Sequence, residues 1–111
     1  MRHTVSLKQN HEFRSLYARG KNTAGVYLAL YARKNRLGMT RLGITASSKL
    51  GNAVKRNRVR RLIREAYRLQ EERFIKGYDL VFVARGRAVG AEFAALRDEM
   101  PRLGQKLGVC V

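Results

Sequence analysis

Hydrophobic positions along the chain change rhythm several times, and each rhythm predicts an element. Phe13, Leu16 and Tyr17 recur every three to four residues, the spacing of one helix face. That helix is expected from Ser6 or Asn10 to Arg19, closed by Gly20. Ser6 with Gln9 resembles a capping box, and Asn10 is a competing cap. Leu7 falls off the face and is expected to pack from the preceding turn. Residues 26–34, "VYLALYARK", are β-branched, aromatic and apolar, the composition of a strand. "NRLGMT" turns the chain, and residues 41–48 predict a second strand antiparallel to the first. "KNTA", residues 21–24, predicts brief edge pairing. A helix follows from Asn52 to about Arg73, with Asn52 or Ser48 as cap. "LVFVAR", residues 80–85, predicts a central strand, and Gly86 to Gly90 a loop. A last helix from Ala91 turns Phe93, Leu96, Met100, Leu103 and Leu107 inward, with Pro101 expected to kink or split it. The pattern gives an α+β sandwich, helices packed on a small sheet, in one domain spanning residues 1–111.

The Asn52 helix is where polar positions carry the information. At about 100° per residue, Val59, Leu62, Ile63, Ala66 and Leu69 gather on one side. Asn57, Arg61, Arg64 and Arg68 form a row on the other, with Arg58 and Arg60 on the flanks. A solvated helix face would alternate acids and bases. Here Glu65, four residues after Arg61, is the only acid between residues 51 and 68, while Glu71 and Glu72 are placed to reach Arg68. Like-charged neighbours cost a few tenths of a kcal/mol each, roughly, which a polyanion opposite the row would offset. The whole chain repeats the message: Lys and Arg number 24 against 8 acids, a net charge of +16. Arginine suits bidentate phosphate recognition, and the chain has no Trp to favour a membrane surface. Roughly five to seven phosphate contacts would give a salt slope near −5.

Phe13, Tyr17 and Tyr31 are candidates to line a cleft for unstacked bases, with core packing as the competing role. Other chemistry is sparse. Glu71–Glu72 and Asp98–Glu99 are neighbours on helices, so their carboxylates are expected to diverge. His3 and His11 lack metal-ligand spacing, so neither a protein metal site nor a protein catalytic site is expected. The one cysteine, Cys110, excludes an internal disulfide. No signal sequence or membrane span is evident, which points to a cytoplasmic protein. A structural RNA-binding protein and a DNA-binding regulator remain alternatives at this point.

The stretch "KLGNAVKRNRVRRLIRE", residues 49–65, resembles the signature of the bacterial ribonuclease P protein subunit, the basic partner of a catalytic RNA. Lys49, Gly51, Ala53, Val54, Arg56, Asn57, Arg61 and Arg64 stand where the family pattern has them. "LKQNHEF" with Tyr17 and Gly20, "LGITASSKLGNAV" and "YDLVFVAR" extend the resemblance over most of the chain. It implies an αβββαβα fold with a small mixed sheet and a left-handed βαβ crossover around the basic helix. It implies RNA-subunit contacts from Lys49, Asn52, Lys55, Arg56, Asn57, Arg58, Arg60, Arg61, Arg64 and Arg68. Phe13, Tyr17, Tyr31, Thr45, Ser47 and Ser48 would line a cleft for the single-stranded 5′ leader of precursor tRNA. The resemblance further implies one protein per catalytic RNA, with Mg²⁺ bound chiefly through that RNA and required at lower concentration when the protein is present. Family members commonly carry Lys at the position of Ser48, and here Pro101 interrupts the last helix.

Overall fold

The strand that reads as most apolar decides the architecture. In a computed structural model describing residues 1–111, Tyr78–Ala84 (β5) runs through the middle of a five-stranded sheet. From Leu80 onward its side chains are apolar on both faces. Leu80, Phe82 and Ala84 point into one core, and Val81 and Val83 into another. Only a central position covers both faces, and β5 takes it. Leu28–Lys34 (β3) lies antiparallel on one side of it, and Thr40–Thr45 (β4) parallel on the other. The expected antiparallel pairing of residues 41–48 with residues 26–34 is therefore absent, because β5 separates them. Lys21–Ala24 (β2) adds an antiparallel edge beside β3, as the sequence indicated.

The other edge was not anticipated. Thr4–Ser6 (β1) pairs in parallel with β4, so the element order gains a strand before the first helix. Three residues with a single apolar side chain, the exposed Val5, carry no alternation to detect. Ser6 therefore belongs to a strand and caps nothing. The first helix, Asn10–Arg19 (α1), follows Gln9, whose N–H donates to Glu12 Oε1 at 3.1 Å. Leu7 packs beneath α1 with Leu16 and Val81, as expected.

Ala53–Gln70 (α2) joins the parallel neighbours β4 and β5, and Phe93–Lys106 (α3) follows β5. These two helices cover one sheet face over a 19-residue core, while α1 covers the other. On α2 the inward stripe is Val59, Ile63, Ala66 and Tyr67, spaced i, i+4, i+7, i+8. Leu69, expected inside, is exposed, and Leu62 is half-buried. Tyr67 prevails because its ring meets Phe74 at 5.2 Å and its hydroxyl finds Thr4 Oγ1 at 3.0 Å, satisfying its polar tip. Burial pushes its phenol up to about 12.

Pro101 neither splits α3 nor shortens it. Proline has no N–H, so the Arg97 carbonyl lacks its intrahelical donor. The Gln70 side-chain amide supplies one from α2, donating to Arg97 O at 2.9 Å and to Ala66 O at 3.1 Å. Two residues earlier on α3, buried Glu99 accepts the backbone N–H groups of Val26, Tyr27 and Leu28 at 2.8, 2.9 and 2.7 Å. That carboxylate ties the β2–β3 turn to the helix layer, while its sequence neighbour Asp98 faces solvent and pairs with Arg97.

Candidate nucleic-acid interface

The basic helix begins where the sequence places it. Asn52 Oδ1 accepts the Lys55 N–H at 3.0 Å, and Gly51 before it adopts φ 129°, a conformation that favours glycine. Along α2, Lys55, Asn57, Arg58, Arg61, Arg64 and Arg68 are exposed, as is Lys49 in the preceding Ser48–Leu50 turn.

Glu65 bonds Arg68 through both carboxylate oxygens, at 2.9 and 2.5 Å, rather than Arg61. That hydrogen bonding lowers the Glu65 carboxyl below its usual range and raises the Arg68 guanidinium. Glu71, expected to reach Arg68, is instead buried against the N-terminal strand, and Glu72 faces His3. None of the ion pairs involves Arg58, Arg61 or Arg64. The ridge thus keeps its charge everywhere except at Arg68, where an exposed pair is held only weakly.

Arg56 and Arg60 differ from the others. Both are half-buried, and both donate to the carbonyl of Ala46, at 3.0 and 3.2 Å, just past the end of β4. This shared acceptor brings the ridge to the margin of an open groove of about 580 Å³. Phe13 and Tyr17 of α1 form one wall, Thr45 and Ser47 lie at the end of β4, and Arg56 and Arg60 close the far side. Tyr17 OH and Thr45 Oγ1 are 2.6 Å apart, fixing the ring's edge. Tyr31 stands behind, packed edge-on to Tyr17 at 4.9 Å, and does not line the groove. Ser48 is exposed and outside the lining as well.

Sequence reasoning missed Asn10 and Arg14, which also line the groove. Their spacing with Tyr17, i, i+4 and i+7, puts all three on one helix face and could have found them. It also assigned Arg56 and Arg60 to the ridge alone, whereas they serve both surfaces.

Beneath the groove, Phe13 fits because Gly43 leaves space: a Cβ there would lie 2.5 Å from Phe13 Cε1. Arg41 fastens α1 to the sheet by donating to both Asp79 oxygens, at 2.8 and 2.7 Å, and to Glu12. The Asp79 hydrogen bonds, against the pull of burial, raise the Arg41 guanidinium further. Contrary to the expected divergence, Glu71 and Glu72 both come near one group, the His3 imidazole, at 3.8 and 4.0 Å. Burial raises the Cys110 thiol, the state of an inert side chain.

A model of the Ribonuclease P family matches residues 1–108. The chain belongs to the ribonuclease P protein family. It is 41% identical over 105 residues to the ribonuclease P protein component of Thermoanaerobacter sp. (strain X514), covering 95% of this chain and 90% of that one. Its identity to the Clostridioides difficile (strain 630) protein component is 42% over 109 residues, covering 97% and 96%. Among solved structures, the Staphylococcus aureus RNase P protein matches with a TM-score of 0.86 at 28% identity, over 96% of this chain and 97% of that one. The Thermotoga maritima protein matches with 0.83 at 28%, over 91% and 96%. The mixed sheet with three helices is thus the fold of this family. No helix is long and apolar enough to cross a membrane.

Proposed function

We propose that this chain is the RNA-binding protein subunit of ribonuclease P, gripping the RNA subunit with the α2 ridge and the 5′ leader of precursor tRNA in the α1–β4–α2 groove. The observation that carries this reading is the pair Arg56 and Arg60, anchored on one carbonyl and shared by both surfaces. A folded RNA on the ridge and a single strand in the groove would then lie side by side. Exposed guanidinium groups neutralise backbone phosphates, and aromatic walls take unstacked bases of any sequence. Such a site discriminates by the presence of a leader rather than by its letters.

Phosphodiester hydrolysis is assigned to the RNA subunit with Mg²⁺ held chiefly by RNA. Supporting this, the groove lining includes no carboxylate, and Glu12, Asp79 and Glu99 are spent on holding the fold. The protein's part is electrostatic and positional. Its +16 charge offsets repulsion between two polyanions, work otherwise left to Mg²⁺. One protein per RNA subunit, acting on precursor tRNA in the cytoplasm, completes the reading.

Reconstitution with the RNA subunit tests it. The holoenzyme should cleave precursor tRNA at far lower Mg²⁺ than the RNA alone, with the gain shrinking as salt rises. Arg61→Glu should weaken assembly by about tenfold or more, since it removes one phosphate contact and adds a repulsive charge. Tyr17→Ala should leave assembly intact and weaken leader-bearing substrate by about 5–150-fold, one stacked base's worth. An unchanged Mg²⁺ requirement, or equal losses by both variants in both assays, would reject the proposal.

A further inference from the structure

We propose that His3, Glu71 and Glu72 form a binding site for one divalent transition-metal ion of the zinc class. One ligand atom from each of the three residues lies within 4.8 Å of the others. Two of the residues are already positioned. The His3 side chain is only 10% exposed, yet its Nδ1 has no hydrogen-bond partner. The Glu71 oxygen it faces is 3.8 Å away, beyond hydrogen-bond reach. A buried imidazole nitrogen left unmatched is costly, and a metal ion beside it would remove that cost.

Glu71, 5% exposed, is held by the backbone N–H groups of Arg2 at 2.8 Å and His3 at 3.2 Å. Such outer hydrogen bonds orient a ligating carboxylate. Glu72 supplies the mobile member: its side chain is 71% exposed, and its Oε2, now 4.0 Å from the other ring nitrogen Nε2, must swing toward Nδ1 to share the ion with Glu71. Bonds of about 2.1 Å to a four-coordinate zinc ion put neighbouring ligands roughly 3.4 Å apart. The His3–Glu71 pair, at 3.8 Å, needs a small closure, and the larger movement falls on the exposed Glu72, which has room to make it.

The donor set selects the ion. An imidazole with two carboxylates suits zinc, cobalt or nickel, whereas magnesium and calcium favour an all-oxygen shell. Two carboxylates face the imidazole and draw a cation there, against the positive charge of Arg2 and of the Met1 amino group in the recess they share, while Arg68 is engaged by Glu65. The ion would join residues 68 positions apart, fastening the N-terminal strand to the end of the basic helix. That strand is only three residues long and walls a recess shared with Ile44 and Arg64. Occupancy would therefore order the edge of the sheet next to the ridge.

The experiment titrates the full chain, untagged and freed of RNA and metal, with zinc chloride by calorimetry, and with cobalt chloride by visible absorption. One equivalent should bind, and the thermal midpoint should rise by roughly 5 °C at zinc tenfold above its dissociation constant. Glu72→Gln, at an exposed position that preserves folding, should weaken binding by about tenfold or more, and His3→Ala likewise. His11→Ala and Cys110→Ser should bind as the wild type does. Absence of saturable binding, or binding that survives both Glu72→Gln and His3→Ala, would show an ordinary histidine–carboxylate contact and overturn the proposal. Equal affinity for magnesium would overturn it too.

Discussion

Gly43→Ala offers a test of how the groove is held open, because it adds one methyl group to a buried strand and touches no basic residue. The new Cβ would lie 2.5 and 2.7 Å from Phe13 Cε1 and Cζ, and 3.1 Å from Val81 Cγ2. Relaxed carbon contacts are about 3.5–4.0 Å, so the Phe13 ring must retreat by roughly 1 Å or more. Val81 belongs to the central strand and cannot yield readily, so the displacement falls on Phe13 and on α1. Overpacking of this kind costs about 1–3 kcal/mol. A cost near 2 kcal/mol corresponds to a fall in thermal midpoint of roughly 8 °C for a domain of this size. Phe13→Leu removes the two clashing ring atoms, so the double variant should be less destabilised than the sum of the singles by about 1 kcal/mol or more. Urea unfolding of the four proteins measures that coupling. Leader-bearing substrate should bind the single Gly43→Ala variant more weakly, while RNA-subunit affinity stays put. Strict additivity, or unaltered stability in Gly43→Ala, would refute the claim that Phe13 rests on the glycine.

Two further outcomes follow from buried polar groups. Glu99→Ala leaves the N–H groups of Val26, Tyr27 and Leu28 without their acceptor and should cost roughly 3 kcal/mol by urea unfolding; a loss below about 1 kcal/mol would mean the turn holds itself. Tyr67 has its phenol raised by burial to about 12, so its contribution to stability is fully present below the ordinary value of 10.0 and fades as pH rises through about 12. Ultraviolet titration should therefore show one of the five tyrosines ionising late, and Tyr67→Phe should remove that step; co-titration of Tyr67 with the others would contradict the burial argument.

The sequence made the basic helix legible from cap to ridge because its signals are local: Asn52, the 3.6-residue stripe and the scarcity of acids. Neighbour choice was harder to read. Glu65 could reach back to Arg61 or forward to Arg68, and only the two-point geometry with Arg68 decides it. The competition between Tyr67 and Leu69 turns on Phe74 and Phe82, aromatics outside the helix. Strand order was illegible for a different reason. A run such as residues 80–84 announces that it is buried, but not which strands flank it, and β1 is too short to announce anything. The meeting of His3 with Glu71 and Glu72 likewise leaves no trace in spacing. In the groove, Phe13 and Tyr17 were indicated by residue type and Thr45 and Ser47 only by the family resemblance, whereas Asn10 and Arg14 needed the helix face to be followed around.

The position of β5 bears on how the molecule is born. Strands β3 and β4 are synthesised early, but each finds its main partner only when residues 78–84 emerge from the ribosome. The arginine-rich helix is complete before that moment, so a nascent chain displays its cationic ridge before the sheet beside the groove is assembled. Emergence of the last third of the polypeptide is what gives that basic segment a finished sheet to stand on.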